Sequence, residues 1–436
     1  AHYEQADRFE EAAQAYRHAC TDARLRGALA EAVAYLTRGL AQLDRATAGP
    51  TRDRCETALR MERGFLTSAA EGYQSSEAAA DFERCLRLSG NLTDDQLFST
   101  LIALANYYLV RADLRRAAQV IQSLREGPEE QQWTRQVIDI LFGAMAYLRG
   151  DFVTAASAFA ATTEGVAAPL QHKVDAESNC LYSALVALVR GDLAGAESEL
   201  DRSAHLARES GFPEGPYLHA YTRSMATWLH IEAGQLDRAA IVAAELINEA
   251  ERHGFDMWRL IGVTWHAAIN ALATHRTEDV DPTVLDAHIA TFAASLNALR
   301  NMEVNIFTTM LDGILGRLLV EAGEPEQARE RLDSGLTLAH DTGMCFYDAE
   351  LLRLRAHTHD DLAARQSEIN HALELARSQT ATLFELRAAL DAFEVRGRAA
   401  ALAVVDAANR IPANAAWPEI VRARAVVADL RGTGVQ

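Results

Sequence analysis

Five aromatic residues near the middle of the chain have the spacing of side chains that line a binding groove. They are Tyr217, Tyr221, Trp228, Trp258 and Trp265. The first three share one face of a predicted helix and the last two share a face of another, because residues four, seven and eleven apart lie on one helical face. Most stripes of this kind pack between helices. The alternative is a groove of aromatic faces for a peptide or small ligand, so all five are candidate groove residues.

The residue patterns of the common enzyme classes are missing from the sequence. A phosphate-binding loop needs glycines before a Lys-Ser or Lys-Thr pair, but the one lysine, Lys173, stands in QHKVD without a glycine. The histidines and aspartates of HTHDD (residues 357–361) could bind a metal ion, yet polar residues are ordinary where a helix should end. The pair Asp94-Asp95 lacks the downstream acidic residues of a magnesium site. We therefore predict no catalytic residues, no cofactor and no metal ion.

Charge and cysteine content exclude several classes of partner. The formal net charge is −19, from 42 basic and 61 acidic residues, and so acidic a surface repels nucleic acids and anionic lipids. The five cysteines are scattered without a C-x-x-C pair, which is typical of a reducing cytoplasm. No signal peptide opens the chain, and apolar runs such as residues 101–110 are too short to cross a bilayer. We expect a cytoplasmic chain that binds neither nucleic acid nor membrane.

A short turn motif recurs along the chain and predicts its architecture. The copies are RADLRRA (111–117), RGDFVTA (149–155), RGDLAGA (190–196), AGQLDRA (233–239) and AGEPEQA (322–328). Each has a Gly or Ala suited to the left-handed residue that ends a helix, and in most a polar or acidic residue that favours the start of the next helix follows. With few prolines and no alternating strand segments, the sequence predicts an all-α fold of helical hairpins.

The residues around each turn have the spacing of the tetratricopeptide repeat (TPR). A small residue usually lies twelve positions before the last Ala of the motif and a large apolar one four after it, as Gly143 and Phe159 do around Ala155. The anchoring alanines stand at positions 12, 78, 117, 155, 196, 239 and 328. Their steps of roughly 40 residues, with two double steps, predict about ten hairpins in a right-handed α-solenoid with a concave face.

We predict one continuous array over residues 1–436. Residues 1–70 would hold degenerate N-terminal repeats, residues 71–275 regular repeats, and residues 276–436 the C-terminal repeats and a cap. The opening AHYEQADRFEEAAQAYRHAC matches only the second half of a repeat. We therefore expect that the chain is a piece of a longer protein.

Several longer stretches go beyond the generic repeat. They are EGYQSSEAAADFERCLRL (71–88), FSTLIALANYYLVRADLRRAAQV (98–120), AERHGFDMWRLIGVTWHAAINA (250–271), LLVEAGEPEQARERL (318–332), TGMCFYDAELLRLRAH (342–357) and HALELARSQTATLFELRAALDA (371–392). In this order they resemble the TPR sensor region of bacterial signal-transduction ATPases, common in actinobacteria and similar in layout to the maltose-operon activator.

This resemblance implies a regulatory role. Members of the family carry an output module, such as a class III adenylate cyclase, a protein kinase or a DNA-binding domain, on an ATPase that precedes the array. The stretches match the array alone, so the resemblance implies no ATPase or cyclase residue here. Because no basic helix-turn-helix follows ELRAALDA, the adenylate cyclase–ATPase–TPR type is favoured.

The leading functional hypothesis is a non-catalytic sensor and protein-interaction scaffold that regulates an attached ATPase-coupled output. Its concave groove would take a protein or peptide partner, or a small-molecule inducer. The alternatives are a free-standing TPR adaptor and an all-α toroid enzyme. The toroid needs long aromatic loops and converging carboxylates, whereas aromatic residues make up 7% of this chain and its turns are short.

Overall fold

The computed structural model describes residues 2–88, 94–126, 132–162, 177–277 and 282–432. Every regular element in these ranges is helical, as the sequence predicts. The first helices are α1 (His2–Gln5), α2 (Phe9–Leu25), α3 (Leu29–Leu43), α4 (Pro50–Glu71), α5 (Ser76–Arg87), α6 (Asp94–Val110), α7 (Leu114–Glu126), α8 (Gln132–Leu148), α9 (Phe152–Ala160), α10 (Asn179–Val189) and α11 (Leu193–Glu209).

The remaining helices follow the same alternation. They are α12 (Glu214–Glu232), α13 (Leu236–His253), α14 (Asp256–His275), α15 (Pro282–Asn301), α16 (Thr308–Glu321), α17 (Pro325–Thr342), α18 (Asp348–Ala356), α19 (Leu362–Ser378), α20 (Thr382–Arg396), a 3₁₀ turn (Gly397–Ala400), α21 (Ala401–Arg410) and α22 (Pro418–Gly432). Consecutive helices pack as antiparallel hairpins, from α2–α3 to α20–α21. The fold is an all-helical, TPR-like solenoid.

The recurring turn closes several hairpins in the way its sequence predicts. Gly150 and Gly191 have φ angles of 78° and 80°, where a side chain costs energy. Asp151 and Asp192 then accept hydrogen bonds from the backbone N–H groups of residues 154 and 195, which starts the next helix. Ala112 takes the glycine position in its copy at a φ of 59°.

Small residues on one helix receive large side chains from the next, as the repeat spacing predicts. A Cβ atom on Gly143 would lie 2.5 Å from the ring of Phe159, and one on Gly316 would lie 2.5 Å from Leu332. Each substitution would therefore force a packed side chain to move. The helices of one hairpin approach closely because these positions lack a side chain.

The α2–α3 hairpin has a copy of the turn motif whose alanine is not among the anchoring alanines given above. Residues 26–32 read RGALAEA, which matches RGDLAGA, and Gly27 has a φ of 74° between α2 and α3. The 89-residue interval between the alanines at 239 and 328 holds the α14–α15 hairpin, which lacks the motif. The turn motif thus identifies most hairpins, and the double step in the spacing of the alanines predicts the one that lacks it.

The array winds so tightly that successive superhelical turns touch. We call these contacts the inter-turn seam. The carbonyl oxygen of Val110 accepts hydrogen bonds of 2.9 Å from the backbone N–H groups of Asn305 and Ile306, and that of Leu148 accepts one from Phe346. Further along, the Trp417 indole donates to the carbonyl of Gly191, 226 residues away. The even-numbered helices from α4 to α20 line the inside of this winding.

The concave face predicted from the sequence is therefore largely filled. Tyr147, Trp228, Phe307, Phe346 and Tyr347 are all at least 95% buried and form one aromatic cluster from helices of both turns. The sequence shows the repeat but not the rotation from one repeat to the next, and the accumulated rotation closes the groove. An internal cavity remains beside this cluster.

Candidate ligand cavity between superhelical turns

A cavity of about 100 Å³ lies inside the winding. Side chains of α6, α8, α10, α12, α14 and α16 surround it, together with the connection before α16. Its lining includes Tyr73, Asn106, Ile140, Leu141, Ala144, Tyr182, Tyr217, Tyr221, Ser224, Met225, Met257, Trp258, Trp265, Phe307 and Met310. The site therefore draws on both sides of the inter-turn seam.

Four of the five candidate aromatic residues line this one cavity. The rings of Tyr217 and Tyr221 lie 5.4 and 5.3 Å from that of Trp258, and Trp265 follows one helical face further along α14. Tyr73, from the α4–α5 turn, packs edge-on against Tyr217 at 5.9 Å. The structure brings these rings together, and their role in ligand binding stays a prediction.

Trp228 lies outside the cavity lining. Its ring is fully buried against Phe307 and Tyr347, and its indole Nε1–H donates to Glu232 Oε1 at 2.9 Å. The side chain is thus a packing residue of the aromatic cluster with a satisfied hydrogen bond. Helical periodicity puts Trp228 on the same face of α12 as Tyr217. However, the residues that pack against this face change along the helix.

The polar groups of the cavity are neutral, and two pairs of them are hydrogen-bonded to each other. The Trp265 indole donates to Ser224 Oγ at 3.0 Å, and the Tyr221 hydroxyl donates to that of Tyr182 at 3.2 Å. Burial, reinforced by the hydroxyl of Tyr182, raises the pKa of Tyr221 well above its ordinary value, so this phenol stays protonated. Trp258 differs: its buried Nε1–H has no hydrogen-bond partner among the described residues.

None of the described side chains that line the cavity carries a charge. A strongly charged cluster forms a second interior, the ionic core, which we define as Glu232, Glu350, Arg353, Arg387 and Asp391. These five residues join α12, α18 and α20; Arg353 is partly buried and the other four are buried. The cavity and the ionic core are therefore two separate interiors of contrasting polarity.

Arg387 is the centre of the ionic core. It donates to Glu232 at 2.7 Å and to Glu350 at 3.1 Å, and its Nε donates to Glu419 of α22 at 2.8 Å. Burial opposes its charge, but these three carboxylates outweigh burial and raise its pKa well above the ordinary value. The guanidinium of Arg387 thus stays protonated inside the protein.

Asp391 extends the ionic core toward the surface. It accepts a hydrogen bond from Arg353 at 2.9 Å, and His357 Nε2 lies 2.7 Å away. Burial works against its ionisation, but Arg353 and His357 outweigh that effect and lower the pKa of the carboxyl to about 2. His357 of the HTHDD stretch therefore pairs with a carboxylate of the protein.

Two further candidate metal ligands of this stretch have protein partners. His359 lies 2.7 Å from Glu368, and Asp361 caps the N-terminus of α19. Across the described ranges, no group of three or more His, Cys, Asp or Glu side chains is arranged to hold a metal ion. Lys173 and the side chain of Asp94 lie outside the described residues. No helix in the described part of the chain is both long and apolar enough to cross a bilayer.

Sequence reasoning missed Tyr73, Tyr182 and Ser224 as cavity residues. Tyr182 and Ser224 could have been found from the repeat spacing, because each lies about one repeat from a candidate residue. Tyr182 and Tyr221 are 39 residues apart, and Ser224 and Trp265 are 41 apart. Residues separated by one repeat stack on adjacent inner helices. Tyr73 sits in a turn and had no periodic signal.

Comparison with known proteins supports the fold. No protein-family model matches the sequence, and no curated protein matches it. Among solved structures, a Rap protein complexed with competence and sporulation factor is similar at a TM-score of 0.54 and 9% identity, over 86% of this chain and 99% of that chain. At such low identity the match shows a shared fold and nothing more.

Two further structures are more distant. The apo form of RapI matches at a TM-score of 0.39 and 12% identity, over 67% of this chain and 99% of its own. The TPR domain of P58(IPK) matches at a TM-score of 0.23 and 14% identity, over 88% of this chain and 99% of its own. Scores this low carry no argument about this chain.

Proposed function

We propose that the chain is a non-catalytic, cytoplasmic sensor and protein-interaction scaffold that regulates an ATPase-coupled signalling output. The observation that carries this proposal is the position of the cavity across the inter-turn seam. Its walls come from α6 and α8 on one side and from α16 on the other. A ligand held there contacts two successive turns at once.

Such a ligand binds the closed winding better than an opened one. Because a ligand shifts a conformational equilibrium only by its difference in affinity for the two states, this position gives it the required difference. The seam itself has few polar contacts near the cavity: the Val110 carbonyl with two backbone N–H groups, the Asn305 side chain with the Arg111 carbonyl, and an ion pair between Arg111 and Glu303. Closing or opening it changes the surface offered to a partner.

Two lines of support come from outside the cavity. The sequence resembles the sensor region of signal-transduction ATPases, whose arrays follow a nucleotide-binding module. The Rap protein that shares the fold was solved in complex with competence and sporulation factor, so a winding of this type is compatible with a bound second molecule. The output in this proposal is an adenylate cyclase, a kinase or a transcription regulator.

The test is an ATPase measurement in trans. The nucleotide-binding module of the parent protein is purified, and its ATP hydrolysis is measured with and without this chain. We expect the chain to change the rate severalfold. Glu303→Arg places two cations at the seam and should alter that effect. Glu394→Arg is the control: it reverses the charge of an equally exposed glutamate, which pairs with Arg422 away from the seam, and it should behave as the wild type.

Two outcomes contradict the proposal. If the chain leaves the ATPase rate unchanged at saturating concentration, it does not regulate that module. If the two charge reversals act alike, the seam does not transmit the effect. The first result favours the free-standing adaptor, and the second removes the seam from the mechanism.

A further inference from the structure

We infer that a groove on the outside of the winding, between α15 and α17, docks a basic amphipathic helix of a partner protein. We call it the outer groove, and Leu315 and Leu319 of α16 form its floor. It shares no described lining residue with the cavity and lies apart from the inter-turn seam, so the inference goes beyond the proposed function. It follows from the shape, the lining and the unpaired charges of this groove.

The outer groove is formed before any partner binds. Its volume is about 570 Å³, which is typical of sites that hold a bound molecule. Hydrogen bonds of 3.1 Å join its two walls, because Arg300 of α15 donates to Ser334 Oγ of α17. In the same way, Arg331 of α17 donates to Asn297 Oδ1 of α15. A partner therefore meets walls that are already held in place, which lowers the cost of binding.

Helical spacing gives the outer groove an apolar stripe. Ile289, Ala290 and Ala293 of α15 face the groove, and residues three and four apart lie on one face of a helix. The two alanines are small and leave room above the leucine floor. A helix with apolar side chains at the same spacing can pack on this stripe. An extended peptide would dock by adding a strand to a sheet edge, but every regular element in the described ranges is helical.

The rim of the outer groove is acidic. Asp286, Glu324 and Glu330 line it, together with one cation, Arg331. That cation already has a counter-ion, since Arg331 Nε lies 2.7 Å from the buried carboxylate of Asp312. The rim therefore presents negative charge to a partner, and lysine or arginine side chains complement it.

Two of the three rim carboxylates have no structural role that explains them. Glu324 precedes the first turn of α17, where the helix dipole favours a negative charge, and it accepts a hydrogen bond from Gln327. Asp286 and Glu330 lie beyond the first turns of their helices. Neither carboxylate forms an ion pair or a hydrogen bond with another described residue. A docked basic helix would pair with both.

A second groove shows that this excess of charge does not come with the repeat itself. It lies between α9 and α11, is built in the same way from two outer helices and the inner helix between them, and has a volume of about 470 Å³. Its described lining has as many cations as carboxylates. Arg202 pairs with Glu199 at 3.0 Å, and Asp192 caps α11. The unpaired negative charge thus distinguishes the outer groove from this equivalent site.

Binding of synthetic helices to the full chain tests the inference. The first probe is a fluorescein-labelled peptide of about fourteen residues, or about four helical turns, with leucine at helical spacing and lysine elsewhere. The second has the same residues in an order that gives no apolar face. The third has glutamate in place of lysine. In fluorescence anisotropy, the first should bind at least tenfold more tightly than the other two, and its affinity should fall as the salt concentration rises.

Two pairs of variants locate the bound peptide. Ala290→Arg puts a long cationic side chain into the groove and should weaken binding of the first peptide at least tenfold. Ala287→Arg makes the same change at an exposed position of α15 outside the lining and should leave binding unchanged. Glu330→Arg should weaken binding about fivefold, the effect of one exposed ion pair. Glu374→Arg, at an exposed position of α19, is its control and should bind as the wild type.

A cross-link gives a readout that needs no substitution in the chain. With a photoreactive leucine analogue, the first peptide should attach to residues of α15–α17. Equal binding of the first two peptides would overturn docking on the apolar stripe, and equal binding of the glutamate peptide would overturn the basic character of the partner. Equal losses in Ala290→Arg and Ala287→Arg, or cross-links confined to other helices, would overturn the site.

The inference and the proposed function fail separately. If the first peptide binds in the outer groove while the chain leaves ATP hydrolysis unchanged, the docking site stands and the proposed function falls. If the chain regulates the ATPase module but no peptide binds in the outer groove, the docking site falls and the proposed function stands.

Discussion

The cavity and the ionic core both lie between successive turns of the same superhelix, but they differ in charge and in packing. The ionic core fills its space with charges that pair across α12, α18, α20 and α22. The cavity is neutral, has open space and leaves one indole N–H without a partner. The two interiors thus differ in packing: paired charges fill the ionic core, whereas the cavity beside the seam leaves open space.

Removing the central cation should have the largest effect. Arg387→Met leaves Glu232, Glu350 and Glu419 without their shared partner, and breaking a buried ion pair in this way costs about 3–5 kcal/mol. Urea unfolding followed by circular dichroism measures it. Arg422→Met, in the exposed pair with Glu394, should cost less than about 1 kcal/mol. Similar losses of unfolding free energy in the two variants would show that the ionic core does not stabilise the fold more than a surface ion pair does.

Acid should weaken the ionic core through Asp391. Its pKa is lowered to about 2 from an ordinary 3.8, so its carboxylate stabilises the fold above pH 4. That contribution, about 2 kcal/mol, disappears as the pH falls from about 4 to about 2. Asp391→Asn should lose stability at pH 7 and show a flatter fall between pH 4 and 2 in urea unfolding. Glu394→Gln serves as the control, and an unchanged acid slope in Asp391→Asn would refute the assignment.

The two interiors can be compared through the same substitution. Trp228→Phe removes an indole that donates to Glu232, and a hydrogen bond to a charged group is worth about 1.5–3 kcal/mol. Trp258→Phe removes an indole N–H without a partner, so its loss of stability should be smaller by about that amount. Both side chains are at least 95% buried, so the lost ring volume is matched. Equal losses would mean that Trp258 has a partner in solution.

Enlarging a side chain that lines the cavity should give the smallest change in the free energy of unfolding. Ala144→Val extends into the cavity and should change stability by less than about 1 kcal/mol in either direction. Ala389→Val adds the same two methyl carbons at a fully buried position of α20, where overpacking costs about 1–3 kcal/mol. Thermal and urea unfolding measure both, and a cost at residue 144 as large as that at 389 would show that the cavity is closed in solution.

The hairpins could be predicted from the sequence because their determinants are local. A glycine with positive φ, a capping aspartate and a small residue facing a large one all act within one repeat, as around Gly150 and Asp151. The resemblance to ATPase-linked arrays and the division at residues 70 and 275 stay predictions.

The site could be predicted only in part. Periodicity groups Tyr217, Tyr221 and Trp228 on one face of α12, but what packs on that face depends on residues of the next turn, such as Phe307 and Tyr347. Those contacts have no periodic signature, since small rotations between repeats accumulate before the chain meets itself. The same reason explains why Gly191 and Trp417 could not be paired in advance.

The hydrogen bonds between Val110 and residues 305 and 306 also determine how the chain unfolds. In an open solenoid each repeat touches only its neighbours, so terminal repeats fray one by one. Here the side chain of Asn305 also reaches the backbone of Arg111, 194 residues earlier, so losing the later hairpins exposes the earlier ones. Such distant contacts raise the contact order, which slows folding, and they couple the two halves into a single cooperative transition.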